Sequence, residues 1–428
     1  MSEVTENPRG GCVLAGINNA LTPLRRVCPI LHAGPGCGMQ TTFAEQPNGG
    51  NRAATYVAGL SLPSSNMLEK EVVFGGTEKL ETTVQGALEV IDADAYFILV
   101  GCTAGIIGDD VESVAEAFRE EGKPVYAIDV PGFQGDSNLG YEVAWNALLD
   151  QVVQPADEQE PDLVNLFGIV PFHDPFWEGN IEELTRILNR LGLRVNTFYT
   201  QGQGIETVRN ASRASLNIVV NPWLFKGPAQ RFEKEFGVPS LRYAGLPIGA
   251  TDTTEFVRSV GQELGLDQGL VEQVIAEEEQ YVYDYLASII GVVSWKRFAV
   301  AADANAAVGY TRYLANDFSF TPELVVVTDP MFRPADKERI VKRLTELEYA
   351  RPPKVVFLTD QHDILEALLD ADDLGLIIGS AAEYELKGQV DAQYIQAAFP
   401  CKDRLVLNRG YAGYRGSLTF TEDIYDNL

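Results

Sequence analysis

Cysteine and glycine arrive together three times in the first quarter of this chain. Cys12 follows Gly10-Gly11, Cys37 lies within Gly34-Pro35-Gly36-Cys37-Gly38, and Cys102 follows Gly101 at the end of the apolar run AYFILV. Glycine beside a thiol lets the main chain approach a bulky ligand closely and donate amide hydrogen bonds to it. A helix start predicted at Gly108-Asp109, just beyond Cys102, adds N–H groups and a dipole end that favour thiolate or sulfide. The combination suits an iron-sulfur cluster held by loops. It does not suit zinc, because the chain has no CxxC pair and the three cysteines are spaced by 25 and 65 residues, far more than a zinc ribbon uses. Cys28, inside VCPIL, reads instead as a buried core thiol. Three thiolates fall short of the usual four, so Cys28 completes the set, a position stays open, or another chain supplies the rest. Against any cluster stands the plainer reading that cysteines are among the most buried residues and that all of these are core.

The remaining candidates carry less. Asp109-Asp110 with Glu112 read as caps and dipole partners of a helix start before they read as metal carboxylates. His32, His173 and His362 are the only histidines, and none has the spacing of a metal motif; His32 adjoins the glycine-rich turn but reads as structural. Gly202-Gln203-Gly204 is an incomplete dinucleotide fingerprint, no Walker A sequence occurs, and Ser212 and Ser215 lie outside any GxSxG elbow. The fifth cysteine, Cys401, reads as a buried structural thiol.

The elements that must position these residues alternate between short apolar β-branched runs and amphipathic helices, the pattern of parallel sheets flanked by helices. The fold class is therefore α/β. Strands are expected at 95–100, 125–130, 163–170, 194–198, 217–220, 298–302, 324–328, 354–359 and 374–379, with a helix at 109–121 and a long acidic helical stretch at 255–290. A polar stretch at 154–162 (QPADEQEPD) reads as a linker. Three α/β units follow, at 1–157, 158–290 and 291–428, and ligands in such units lie beyond the carboxyl ends of strands.

The chain's 428 residues carry 33 Lys plus Arg against 61 Asp plus Glu, a net charge of −28. That balance repels a phosphate backbone, so nucleic acid is an unexpected partner. No apolar stretch is long enough for a membrane span and the start lacks a basic-then-apolar leader, which makes a cytoplasmic protein the default expectation.

With these motifs in view, nearly the whole chain resembles the component 1 subunits of nitrogenase and nitrogenase-like reductases. The segments that carry the resemblance are Gly11-Cys12 with HAGPGCG, EKEVVFGG (69–76), CTAGIIGDD (102–110), PGFQGDSNLGY (131–141), GLPIGATDTTEF (245–256), KRFAVAADAN (296–305), and AFPCKDR with GYAGYRG (398–416). The resemblance implies three Rossmann-like domains and places Cys12, Cys37 and Cys102 as ligands of an interfacial eight-iron cluster of the P-cluster type, the rest coming from a paired subunit. It also implies an α2β2 heterotetramer and an ATP-dependent iron-sulfur reductase that docks near VFGG, with Phe74 an apolar contact. The cysteine and histidine that hold the active-site cofactor in the family's catalytic subunit correspond to Asn221 and to the neighbourhood of Asp403, so the chain resembles the non-catalytic β-type partner. A serine that assists the relay cluster in conventional β subunits corresponds to Gly132. The compact length resembles the methylthio-alkane reductases, which cleave carbon-sulfur bonds; the alternatives are a nitrogenase β subunit reducing dinitrogen and a scaffold for cofactor assembly.

Overall fold

The computed structural model describes residues 5–38, 62–289, 295–330, 333–402 and 404–426. Among them are three separate sheets, and every strand pair in them is parallel. The first runs β1-β2-β3, from Val27–His32, Ala95–Val100 and Val125–Ile128. The second has the order β5-β4-β6-β7, from β4 (Glu160–Phe167), β5 (Arg194–Asn196), β6 (Ala214–Val219) and β7 (Ser240–Arg242). The third has the order β10-β9-β8-β11-β12, from β8 (Arg297–Ala302), β9 (Thr321–Val327), β10 (Lys354–Phe357), β11 (Leu376–Gly379) and β12 (Gln393–Gln396). Helices cover both faces of these sheets, which is why a strand such as AYFILV is apolar without alternation and buried at every residue. The α/β class expected from the sequence is the observed one. Among the described residues no helix is long and apolar enough to cross a membrane.

Three local expectations need correction. The helix read at 109–121 is preceded by another, Cys102–Ile107, that begins at the cysteine itself. Gly108 ends it in the left-handed conformation (φ 73°), and Asp110 then accepts a hydrogen bond from the Ser113 N–H to open Val111–Glu120. The stretch 255–290 is two helices, Gly249–Glu263 and Gln268–Ile289, parted at the left-handed Gly265 (φ 62°); residue 290 lies outside the described residues. The polar stretch 154–162 is shorter as a linker, because β4 already starts at Glu160, where Arg194 bonds Glu160 and Asp162 along the exposed strand start.

Packing between sheets is set by two helices. Val13–Leu21 lies against Ser137–Gln151 with Gly16 and Gly140 at the contact, and a Cβ on either would run into the other helix's main chain. On its far side Ser137–Gln151 buries Trp145 edge-on against Phe167 and Phe198, with ring centroids 4.8 and 4.7 Å away, which joins the first sheet's layer to the second's. The second and third layers meet at a buried ion pair, Arg312 Nε lying 2.9 and 2.8 Å from the two carboxylate oxygens of Asp252. The chain's last described helix, Gly413–Tyr425, turns back to pack on Trp177–Arg190 and Gly249–Glu263.

Candidate functional site

The three glycine-flanked cysteines come together beyond the carboxyl ends of the first sheet. Cys12 is the residue preceding the helix Val13–Leu21, Cys37 sits in the turn after β1, and Cys102 starts the helix directly after β2. Each position is fixed by local main-chain bonds. Val13 N–H donates to Gly135 O (2.8 Å) and Ser137 N–H to Gly11 O (2.9 Å), which docks the Cys12 turn onto the loop after β3. Gly101 N–H donates to His32 O (2.9 Å), and a Cβ on Gly101 would lie 2.5 Å from that of Ala33, so only glycine lets the turns after β1 and β2 run side by side.

Gly132, in the loop after β3, marks the centre. A Cβ built there would lie 3.0 Å from Cys102 Sγ and 3.1 Å from Cys12 Sγ. Burial pushes the Cys37 thiol above its ordinary pKa, and the neighbouring Cys12 and Cys102 sulfurs push it the same way. All three thiols are free and partly exposed, and Ile106, on the helix that starts at Cys102, and Phe133, beside Gly132, stand out into solvent. Among the described residues no three His, Cys, Asp or Glu side chains are grouped to hold one metal ion. The thiols therefore form a soft, sulfur-only donor set spread wider than a single ion requires.

Cys28 takes no part. It is fully buried in β1 among apolar side chains, and burial alone pushes its thiol up to about 12. Cys401 is likewise fully buried. His32 is structural, its Nδ1 lying 3.0 Å from Ser65 Oγ and its Nε2 2.8 Å from Asp109 Oδ2. Asp109 also accepts the Gly76 N–H at 2.9 Å, so it is a buried tie between elements and Asp110 alone is the cap. Gly76 closes the segment that holds Phe74. That residue is 81% exposed on a short helix, Glu69–Phe74, that buries none of its side chains.

A second site was touched by sequence reading only at Asn221. A cavity of about 370 Å³ lies beyond the carboxyl ends of the second and third sheets, bounded by Asn221, Asp174, Asp303 and Asp329. Its wall at Gly10 and at Gln134–Ser137 is also the back wall of the Cys12 turn. The signal was present, since Asp303 follows β8 directly and Thr328-Asp329 follows β9, but nothing in the sequence alone says that these ends face those of the second sheet. Asn221 is buried on this wall, and Asp403 lies outside the described residues.

Comparison with known proteins gives consistent answers. Residues 12–428 match the family described as nitrogenase component 1 type oxidoreductase. Similar proteins include the nitrogenase iron-molybdenum cofactor biosynthesis protein NifE of Nostoc sp., 25% identical across 98% of this chain and 83% of that protein. NifE of Clostridium pasteurianum is 26% identical across 96% and 86%. The nitrogenase molybdenum-iron protein alpha chain of Clostridium pasteurianum is 29% identical across 64% of this chain and 52% of its own length. The solved structure "Nitrogenase Cp1 at pH 5" superposes with a TM-score of 0.79 at 22% identity, over 100% of this chain and 90% of that one, which is a likeness of fold.

Proposed function

Because this chain belongs to the nitrogenase component 1 type oxidoreductase family, we propose that Cys12, Cys37 and Cys102 hold one half of an iron-sulfur cluster of the eight-iron P-cluster type. A paired subunit completes the cluster across an interface in an α2β2 assembly. The observation that carries this reading is the approach of the Cys12 and Cys102 sulfurs to one point beside Gly132. The residues fit such a group: the donors are soft, and a glycine leaves open the space that a Cβ would fill. When bound, the cluster supplies an electron relay.

The chain's own residues then do three things. The turns after β1 and β2, locked together through Gly101, hold Cys37 and Cys102 in register. Ile106 and Phe133, 74% and 58% exposed, exclude water from the thiols when a partner covers them. Phe74 docks an ATP-dependent iron-sulfur reductase, and the Gly76–Asp109–His32 chain ties that docking element rigidly to the end of β1. We assign the complex to reductive cleavage of carbon-sulfur bonds in methylthio-alkanes, in the cytoplasm, with the cofactor in the partner subunit.

A second reading is favoured by the relatives themselves. Proteins named for cofactor biosynthesis match nearly the full chain, and Asn221 offers no soft ligand, as expected of a scaffold that builds a cofactor and releases it. The β-type placement rests on that missing ligand, whereas the relatives named by subunit include alpha chains; the half-cluster proposal holds for either seat.

Anaerobic purification with the co-purifying partner, followed by iron analysis, tests the cluster: several irons per protomer are expected, and iron near zero in a folded, partnered sample overturns it. Turnover of a methylthio-alkane with reductase and ATP supports the relay. Transfer of cofactor to an apo-enzyme without turnover selects the scaffold.

A further inference from the structure

One side chain joins the docking helix to the turns that carry two of the thiols. His32 is fully buried at the end of β1, five residues ahead of Cys37. Burial draws its pKa down while Asp109 pulls the other way, so the ring is neutral and carries a single N–H. Nε2 lies 2.8 Å from Asp109 Oδ2. A carboxylate can only accept, which places the N–H on Nε2. Nδ1 then accepts from Ser65 Oγ at 3.0 Å, and Ser65 Oγ in turn accepts the Ala33 N–H at 3.3 Å.

On the other side, both Asp109 oxygens accept the Gly76 N–H, at 2.9 and 3.1 Å. Gly76 follows directly on Gly75, which caps the helix Glu69–Phe74. Contact there is tight, since a Cβ on Gly76 would lie 2.6 Å from Asp109 Oδ2 and 2.9 Å from His32 Cε1. From His32 the chain of bonds divides. One branch runs through Ser65 to Ala33 and so to the turn of Cys37; the other runs through the His32 carbonyl, which accepts the Gly101 N–H at 2.9 Å, to Cys102. The docking helix buries none of its own side chains. Apart from the partly exposed Glu71–Lys79 ion pair, its place is set by this junction.

We propose that His32 is a positioning residue for electron delivery: its bond to Asp109 transmits the placement of the docking helix to the Cys37 and Cys102 turns, so that a docked reductase tightens both turns around their sulfurs. The inference rests on the docking and cluster readings above and deepens them by naming the side chain that connects the two. His32 itself touches neither the reductase nor the cluster in this arrangement.

The test separates the two ring nitrogens. A glutamine amide N–H stands where Nε2 does and an asparagine amide where Nδ1 does, so His32→Gln keeps a donor for Asp109 and His32→Asn loses it, with ring packing lost in both. Hydrogen exchange is followed by mass spectrometry on the purified complex, alone and with the reductase held by a non-hydrolysable ATP analogue. Docking is expected to slow exchange at 68–77 by direct cover and, by about tenfold, at 101–105. In His32→Asn the effect at 68–77 should remain and that at 101–105 disappear, and His32→Gln should restore it. Reductase-supported kcat should fall about tenfold in His32→Asn and recover in His32→Gln, with the KM for reductase and the iron per protomer unchanged. No response at 101–105 in the unsubstituted complex, or a full response in a folded His32→Asn complex, overturns the proposal. A fall in melting temperature with the response intact assigns His32 a part in stability alone and overturns it as well. Absence of protection at 68–77 overturns the docking reading, and the proposal with it; the cluster reading fails separately, on iron content.

Discussion

Cys28 and Cys37 lie nine residues apart and differ in everything but element. Glycines around one and aliphatic residues around the other separated their roles in the sequence, and the structure buries the first completely while leaving the second partly open beside two more sulfurs. Cys37→Ala, like Cys12→Ala and Cys102→Ala, is expected to strip most iron from the anaerobically isolated complex. Cys28→Ala is expected to keep the iron and cost about 1 kcal/mol in denaturant unfolding, the price of a small core void. Gly132 gives a sharper check. Its missing Cβ would crowd the sulfurs of both Cys102 and Cys12, so Gly132→Val is expected to lower iron occupancy, measured per protomer, while far-UV circular dichroism stays unchanged. The sequence pointed to Gly132 only through a family resemblance, because its nearness to the thiols depends on three loops whose spacing no local pattern encodes. The cavity acids were illegible for the same reason: a strand followed by aspartate reads first as a helix cap, and Asp303 is indeed one.

Strands were the most legible elements, since a run buried on both faces has little choice but to be apolar from end to end. Helix limits were less so. Breaks at Gly108 and Gly265 depend on a left-handed main-chain conformation that the residue permits but does not announce. The helix Glu69–Phe74 shows the opposite case, a short element that no burial holds in place. Its exposed Val73 and Phe74, 70% and 81% open, are expected to act through a partner. Phe74→Ala combined with Val73→Ser should cut reductase-supported turnover about tenfold or more. Thermal stability and iron content should stay as they were, because surface changes of this kind move stability by about 0.5 kcal/mol or less. A matching fall in iron content would move the role of this helix from docking to cluster retention.

For the whole molecule, pH is the broadest lever. Burial lifts Asp174 and Asp317 to about 7 and Asp329 to about 8, well above their values in an unfolded chain. The folded chain thus keeps protons that the unfolded chain releases, and the stability they contribute is present below the ordinary carboxylate range and lost as pH rises through 7 and 8. Asp317, which does not line the cavity, accepts the Ala250 N–H at 2.8 Å at the start of Gly249–Glu263. Asp317→Asn is expected to flatten the fall in melting temperature between about pH 4 and about pH 7; an unchanged slope in the variant would show that other groups set it.

The path of the chain carries one more consequence, for the order in which it is made. Asn180, in the helix Trp177–Arg190, accepts the Tyr411 and Ala412 N–H groups through its side-chain oxygen, and Tyr411 lies 231 residues further on. The helix Gly413–Tyr425 then covers the same layer. During synthesis at about 5–20 residues per second, the second layer, complete at Arg242, waits with an uncovered apolar flank for roughly 8 to 34 seconds until these residues leave the ribosome. A chaperone that shields that flank would meet the nascent chain in this interval, and ribosomes stalled just before residue 410 should display it.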